Sequence, residues 1–352
     1  MTSRMTAKAG TAKAFISGCA GATLTADETA FFRDERPWGL ILFKRNIGTA
    51  EQVCDLVASF REALDDPDRP VLIDQEGGRV QRIVPPNWPG RPAARHAGRL
   101  FAEDEAAGRR MAWLQARLIA ADLADLGITI DCLPVLDVAT SETHQAIGDR
   151  SYGHDPDMVA VLGAATAEGL MAGGVLPVMK HMPGHGRAVV DSHHQLPAVS
   201  ASLATLMKTD FAPFRALSGL PMGMTAHIVF EAIDPGRPAT VSEAVIGGVI
   251  REKIGFDGLL MSDDLSMKAL GGEPGDRARA VIGAGCDIVL HCNGLMDEMR
   301  GVAAAVPELA GRSAERATAA LASRVSAHPL DREGAEAEFA ILAERAGWPP
   351  SA

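Results

Sequence analysis

The sequence predicts an α/β protein folded as a single (β/α)8 barrel of the TIM type, with extra helices at its C-terminal end. Three observations carry that prediction. Eight short apolar runs are spread along the chain, segments of helical period lie between them, and polar clusters recur just after several of the runs.

The runs fall at 14–18, 38–43, 70–74, 128–133, 175–180, 222–227, 258–262 and 287–291. Each is almost continuously hydrophobic, which is the pattern of a parallel strand buried on both faces. Between the second and third runs, Val53, Leu56, Val57, Phe60 and Leu64 share one helical face. Met111, Leu114, Leu118 and Leu126 repeat that pattern in 105–126, and 158–171, 203–217 and 243–254 read as helices too. Eight such strands close most economically into a ring; a doubly wound open sheet is the structural alternative. From Leu295 onward the chain is rich in Ala, Glu and Arg. Residues 295–352 are therefore expected to supply the last barrel helix and the C-terminal helices of one catalytic domain spanning 1–352.

The bulk properties narrow the function. A net charge of −11 argues against nucleic acid or an anionic membrane as partner. With 5% aromatic residues, a stacking platform for single strands is also unsupported. Cys19, Cys54, Cys132, Cys286 and Cys292 are odd in number and never form a C-x-x-C pair, which fits reduced thiols in a cytoplasm. Ile16-Ser17-Gly18-Cys19 looks like a lipoprotein cleavage box, but only Ala14, Phe15 and Ile16 separate Lys13 from Ser17. That is short of the ~7–15 apolar residues of a signal core, and no run approaches the ~20 residues of a membrane span. The expectation is a cytoplasmic monomer that acts on a small molecule, with no nucleic-acid or membrane partner.

In such a barrel the reactive groups come from the C-terminal ends of the strands. Asp74-Gln75-Glu76-Gly77-Gly78-Arg79-Val80-Gln81-Arg82 follows the third run. Lys180-His181-Met182-Pro183-Gly184-His185-Gly186 follows the fifth and runs on to Asp191-Ser192-His193-His194. Thr225-Ala226-His227, Ser262-Asp263-Asp264 and His291-Cys292-Asn293 end the last three. One polar loop would mean little, but several at matching strand ends form a constellation. Gly77-Gly78 can serve as a simple turn, since glycine tolerates positive φ. Arg79 and Arg82, in a loop that opens with Asp74-Gln75-Glu76, read as hydrogen-bonding groups for a polyhydroxylated substrate. Pro183, Gly184 and Gly186 break any helix, so 180–194 is expected to be a long loop and a lid. Asp263 and Asp264 are adjacent on a strand, so one should face the barrel axis and the other should not. An inward carboxylate suits a nucleophile or a stabiliser of an oxocarbenium-like transition state, and spacing leaves open which of the two it is.

Taken together, the stretches 73–82, 180–186 with 191–193, and 262–267 resemble glycoside hydrolase family 3, and within it the bacterial β-N-acetylglucosaminidases of peptidoglycan recycling. Weaker echoes lie in Gly39-Leu40-Ile41-Leu42-Phe43, in Pro134-Val135-Leu136-Asp137-Val138 and in Ala284-Gly285-Cys286-Asp287. The resemblance implies a retaining mechanism with Asp263 as nucleophile and an Asp191/His193 dyad as acid/base. It implies sugar-binding roles for Asp74, Arg82, Arg150, Lys180 and His181. It also implies a substrate with terminal β-linked N-acetylglucosamine, such as a GlcNAc-1,6-anhydroMurNAc peptide. No cofactor and no metal are expected. Met182 and Asp131-Cys132 depart from the usual family pattern, outside the catalytic set.

Four rival readings remain at this level. A metal site built on His181, His185, His193, His194 and Asp191 is opposed by Pro183 and Gly184, which forbid the helix that a His-x-x-x-His spacing requires. A Schiff-base aldolase on Lys180 and a non-catalytic sugar-binding barrel share the same scaffold. Within the family, a β-glucosidase or a phosphorylase, in which phosphate replaces water as acceptor, is the alternative.

Overall fold

The computed structural model describes residues 12–190 and 196–348. Its eight barrel strands are β1 (Lys13–Ser17), β2 (Pro37–Leu42), β3 (Val71–Ile73), β4 (Ile130–Asp131), β5 (Leu176–Met182), β6 (Met222–Thr225), β7 (Leu259–Asp264) and β8 (Ile288–His291). They form a closed ring in chain order, with every neighbour parallel and β8 returning to β1 through Ser17 opposite His291. All eight apolar runs thus become strands, and the closed ring replaces the open-sheet alternative. What decides it is the pairing of β8 with β1, which leaves the ring no edge strand; Phe15, Ile16, Leu40, Ile41, Leu72, Val178, Leu260 and Val289 are all fully enclosed, as strands covered on both faces require.

Helices follow the strands and cover the ring. Thr25 caps helix Ala26–Glu35 in a reciprocal box with Glu28, and Thr49 and Asp104 cap Ala50–Ala63 and Glu105–Asp125. Asp155 caps Pro156–Ala172, whose first-turn proline loses no helical hydrogen bond. A small two-stranded sheet, Ala198–Val199 with Val229–Phe230, stands beside the ring.

Three local readings change. The strand at β5 continues through Met182, so Lys180 and His181 are ladder residues and the irregular segment starts only at Pro183. Pairing of Met182 with Thr225 of β6 is what extends it. The expected helix over 203–217 divides into Leu203–Lys208 and Ala212–Ala216. Pro213 has no N–H for the Thr209 carbonyl, which accepts from Ala212 instead. The helix over 243–254 opens into a π-helix at Ile246–Lys253, where Gly247-Gly248 supplies weak helix formers.

At the bottom of the barrel, Asp287 enters β8 as a buried structural hub. Its Oδ2 accepts from Arg251 at 2.7 Å and from the Leu260 amide at 2.9 Å. Its Oδ1 accepts from Ser313 at 2.7 Å and Arg316 at 3.1 Å, which ties down helix Gly311–Ala322. Helix Met296–Ala305 lies against Pro274–Gly283, and helix Arg332–Arg345 lies on Glu105–Asp125 and Ala94–Glu103. That last helix is anchored by buried Arg91, bidentate on Glu336 at 2.8 and 2.6 Å. Arg91 also accepts the Gly78 amide on its carbonyl at 2.8 Å, so the tail braces the loop after β3.

Candidate active site

A cleft of about 250 Å³ opens at the C-terminal mouth of the ring. It is lined by Phe43 after β2, Asp74, Glu76 and Arg82 after β3, Arg150 after β4, Lys180, His181 and His185 from β5 and beyond, Met224 of β6, Asp263 and Asp264 of β7, and Leu290 and Cys292 at β8. Polar groups gather here because each strand ends where the apolar core ends, as the barrel rule requires.

The wall made by β3 and β5 is a row of alternating charge. Arg82 reaches Asp74 at 3.1 Å, Lys180 reaches Asp74 at 2.8 Å and Glu76 at 2.7 Å, and Arg150 grips Glu76 at 2.7 and 2.8 Å. Burial alone would raise both carboxyls. The pull of Lys180, Arg82 and Arg150 on Asp74 outweighs it and holds that group well below the usual range. Arg150 and Lys180 do the same for Glu76, held down to about 2. Burial disfavours the Lys180 ammonium, yet the two carboxylates keep it charged, with its pKa raised above the ordinary value. Such a row presents fixed donors and acceptors to hydroxyl groups. Arg82 also lies 5.0 Å from the centre of the Phe43 ring, with Arg45 5.2 Å from the same ring.

Asp137, fully buried, organises the next layer. It accepts from His181 Nδ1 at 2.7 Å and from the His185 amide at 2.6 Å. The first bond makes Nδ1 the hydrogen-bearing nitrogen and turns Nε2 toward Arg150, 3.4 Å away. Burial depresses His185 to about 4 against the attraction of Asp137 and Asp263, so its ring is neutral at pH 7. Among the described residues no group of three His, Cys, Asp or Glu side chains is placed to hold a metal ion.

On the opposite side of the ring, four strands from β3, stands β7 with Asp263 and Asp264. Both residues border the cleft. Their carboxylates are used differently. Asp264 Oδ1 accepts the amides of Ser266 at 3.0 Å and Cys292 at 3.1 Å, and its carbonyl accepts from His227 at 2.9 Å. Asp263 Oδ1 accepts the Asp264 amide at 2.8 Å. Asp264 thus stitches the β7 and β8 ends together.

Asp74, Arg82, Arg150, Lys180, His181 and Asp263 therefore come together around one cleft, whereas Asp191 and His193 lie outside the described residues. Arg79 does not line the cleft, in contrast to its reading as a substrate ligand. It pairs with Asp149 and donates to the carbonyls of Ala146 at 2.7 Å and Ile147 at 3.2 Å, fastening the loop that carries Arg150. Sequence reasoning passed over Glu76 and Asp137 as individual site residues. Their signal was present, since both sit inside the recognised stretches, but their partners lie far away in the chain. Gly77 and Gly78 are more than a turn: at Gly77, φ is 96° and a side chain would meet the Pro92 carbonyl at 2.2 Å.

Residues 20–327 match the N-terminal domain of glycosyl hydrolase family 3. Over 286 residues the chain is 37% identical to a beta-hexosaminidase of Bordetella parapertussis, covering 80% of each chain. It is 39% identical over 284 residues to a beta-hexosaminidase of Neisseria meningitidis, covering 79% of this chain and 78% of that one. The crystal structure of NagZ from Neisseria gonorrhoeae with N-trifluoroacetyl-D-glucosamine aligns with a TM-score of 0.84 at 32% identity, over 96% of this chain and 98% of that one. A family 3 beta-N-acetylglucosaminidase from Paenibacillus sp. str. FPU-7 aligns with the same TM-score at 30% identity, over 97% of this chain and 68% of that one. With its closed parallel ring and a charged cleft at the strand ends, and with a match that spans most of its length, the chain belongs to glycosyl hydrolase family 3.

Proposed function

We propose that the chain is a retaining exo-β-N-acetylglucosaminidase, built as one catalytic domain over 1–352, that releases terminal β-linked N-acetylglucosamine. The observation that carries the proposal is a single cleft with Asp263 on one wall and the row Arg82–Asp74–Lys180–Glu76–Arg150 on the other. The row suits the hydroxyls of a terminal sugar, and the carboxylate across from it suits the anomeric carbon. Relatives named beta-hexosaminidase and a neighbour holding an N-acylated glucosamine support the choice of sugar. GlcNAc-1,6-anhydroMurNAc peptides of cell-wall recycling are the substrates proposed, in a cytoplasmic monomer. Scattered cysteines support that location, and no helix among the described residues is long and apolar enough to cross a membrane.

In the proposed reaction Asp263 attacks the anomeric carbon and forms a glycosyl-enzyme. His193, oriented by Asp191, gives its proton to the leaving oxygen, then takes one from the water that hydrolyses the intermediate. An imidazole suits both steps, because its ordinary pKa of about 6.5 lies near neutrality. Asp263 is preferred to Asp264 as nucleophile because it directly follows Ser262, the position that the family resemblance implies, while Asp264 Oδ1 joins the β7 and β8 ends through the Ser266 and Cys292 amides.

The test is trapping with an activated 2-deoxy-2-fluoro or 5-fluoro sugar, followed by peptide mass spectrometry. A label on Asp263 is expected, and a label on Asp264 overturns the assignment. His193→Ala should slow substrates with poor leaving groups far more than aryl glycosides. Equal losses would reduce His193 to a positioning role. A sugar 1-phosphate formed in phosphate buffer would replace hydrolysis by phosphorolysis.

A further inference from the structure

Glu76 is the least exposed carboxylate of the cleft wall, with 4% of its side chain accessible. Its Oε1 meets Arg150 and Lys180, each at 2.7 Å, and its Oε2 meets Arg150 Nε at 2.8 Å. Its main chain is held as firmly. The amide donates to the Val80 carbonyl at 2.8 Å, and the carbonyl accepts from Gln115 at 3.3 Å. Behind it lies a second cavity lined largely by small or apolar side chains, among them Ala94, Ala112, Ala116 and Leu133. Three of the donor contacts of Lys180 and Arg150 therefore converge on this one group.

Counting donors shows what that does. An ammonium has three N–H bonds and a guanidinium has five. Lys180 donates one hydrogen bond to Asp74 at 2.8 Å and ion-pairs with Glu76 at 2.7 Å, so its ammonium is fixed between the two carboxylates. Arg150 is held in plane by its two-point grip on Glu76 and by Ala146, whose carbonyl it reaches at 3.1 Å. Lysine and arginine side chains lose considerable rotamer freedom when ordered, and ordering them before substrate arrives removes that cost from binding. With both oxygens on cations and only 4% of its side chain accessible, the Glu76 carboxylate acts through Lys180 and Arg150.

We propose that Glu76 is a positioning residue for the glycosidase reaction: it pre-aims Lys180 and Arg150 at the hydroxyl groups of the terminal sugar. The proposal rests on the reading of those two cations as sugar ligands. It extends that reading to a residue whose effect should appear only through the hydroxyls they hold.

The test is a cycle between enzyme and substrate. Wild type and Glu76→Gln are assayed with 4-nitrophenyl N-acetyl-β-glucosaminide and its 3-, 4- and 6-deoxy analogues. In wild type, removing a hydroxyl held by Lys180 or Arg150 is expected to lower kcat/KM about 30-fold or more. Glu76→Gln is expected to lower kcat/KM for the parent about 100-fold, mostly through KM, and to shrink that deoxy penalty to about 5-fold or less. Equal loss on all four substrates would mean a purely structural role and would overturn the proposal. A wild type indifferent to every deoxygenation instead overturns the ligand reading on which the proposal stands, and no release from the parent overturns the activity itself. Should Glu76→Gln not fold by thermal melting, Glu76→Asp replaces it under the same criteria. It keeps the charge one methylene short of both cations.

Discussion

Buried carboxylates meet cations at both ends of this barrel, and the two clusters differ in what they face. At the bottom, Asp287 spends both oxygens on protein donors from Arg251, Leu260, Ser313 and Arg316, with packed helix beyond. At the mouth, Asp74 receives one contact on each oxygen, from Lys180 and Arg82, and borders open space. A carboxylate has about four acceptor sites, so Asp74 keeps capacity for a ligand and Asp287 does not. The same chemistry thus stabilises at one end and recognises at the other, and the difference lies in the unfilled volume beside it.

That contrast can be broken most directly at Lys180. Lys180→Met should lower kcat/KM of the folded enzyme on the parent glycoside about 1,000-fold, beyond a fall in Tm of about 5 °C as Asp74 and Glu76 lose their shared cation. Steady-state kinetics beside calorimetry checks it, and an activity loss that merely follows the unfolded fraction would erase the distinction. Asp287→Asn should do the reverse. Weakening a buried, fully used carboxylate is expected to lower Tm by about 5–10 °C, with kcat/KM of the folded enzyme within about twofold of wild type.

Acid sharpens the comparison further. Glu76 is held down from its ordinary 4.5 to about 2, so the folded state releases this proton more readily than the unfolded chain. Its stabilisation is complete above 4.5 and is lost as pH falls from there toward 2. A Tm series over that window should be steeper for wild type than for Glu76→Gln, and parallel curves would contradict the linkage. His185 gives an effect of similar size in a higher pH window. Burial depresses it from 6.5 to about 4, so the unfolded chain takes up the proton first and stability falls as pH drops through that interval. His185→Asn should flatten the slope of Tm between pH 6.5 and 4 by about 5 °C in all.

Much of this was legible in the residues. Parallel strands buried on both faces must be apolar throughout, so runs such as 38–43 and 175–180 announced themselves without any partner being known. The polar stretches at their C-terminal ends announced the mouth for the same reason, because charge in a barrel of this kind is tolerated where the core stops. What the residues could not show was pairing. Glu76 meets Arg150 across 74 positions of chain, and Lys180 meets Asp74 across 106. Local period and spacing carry no information at such separations. The different uses of Asp263 and Asp264 depended likewise on the Cys292 amide, which arrives from the next strand 28 residues later. The residues alone carried eight buried parallel strands and the end at which the chemistry lies, because burial is written into composition, while closure into a ring rested on the pairing of β8 with β1. Only the tertiary structure decided which carboxylates the protein consumes and which it leaves facing the cleft, because hydrogen-bond capacity is allotted by neighbours in space.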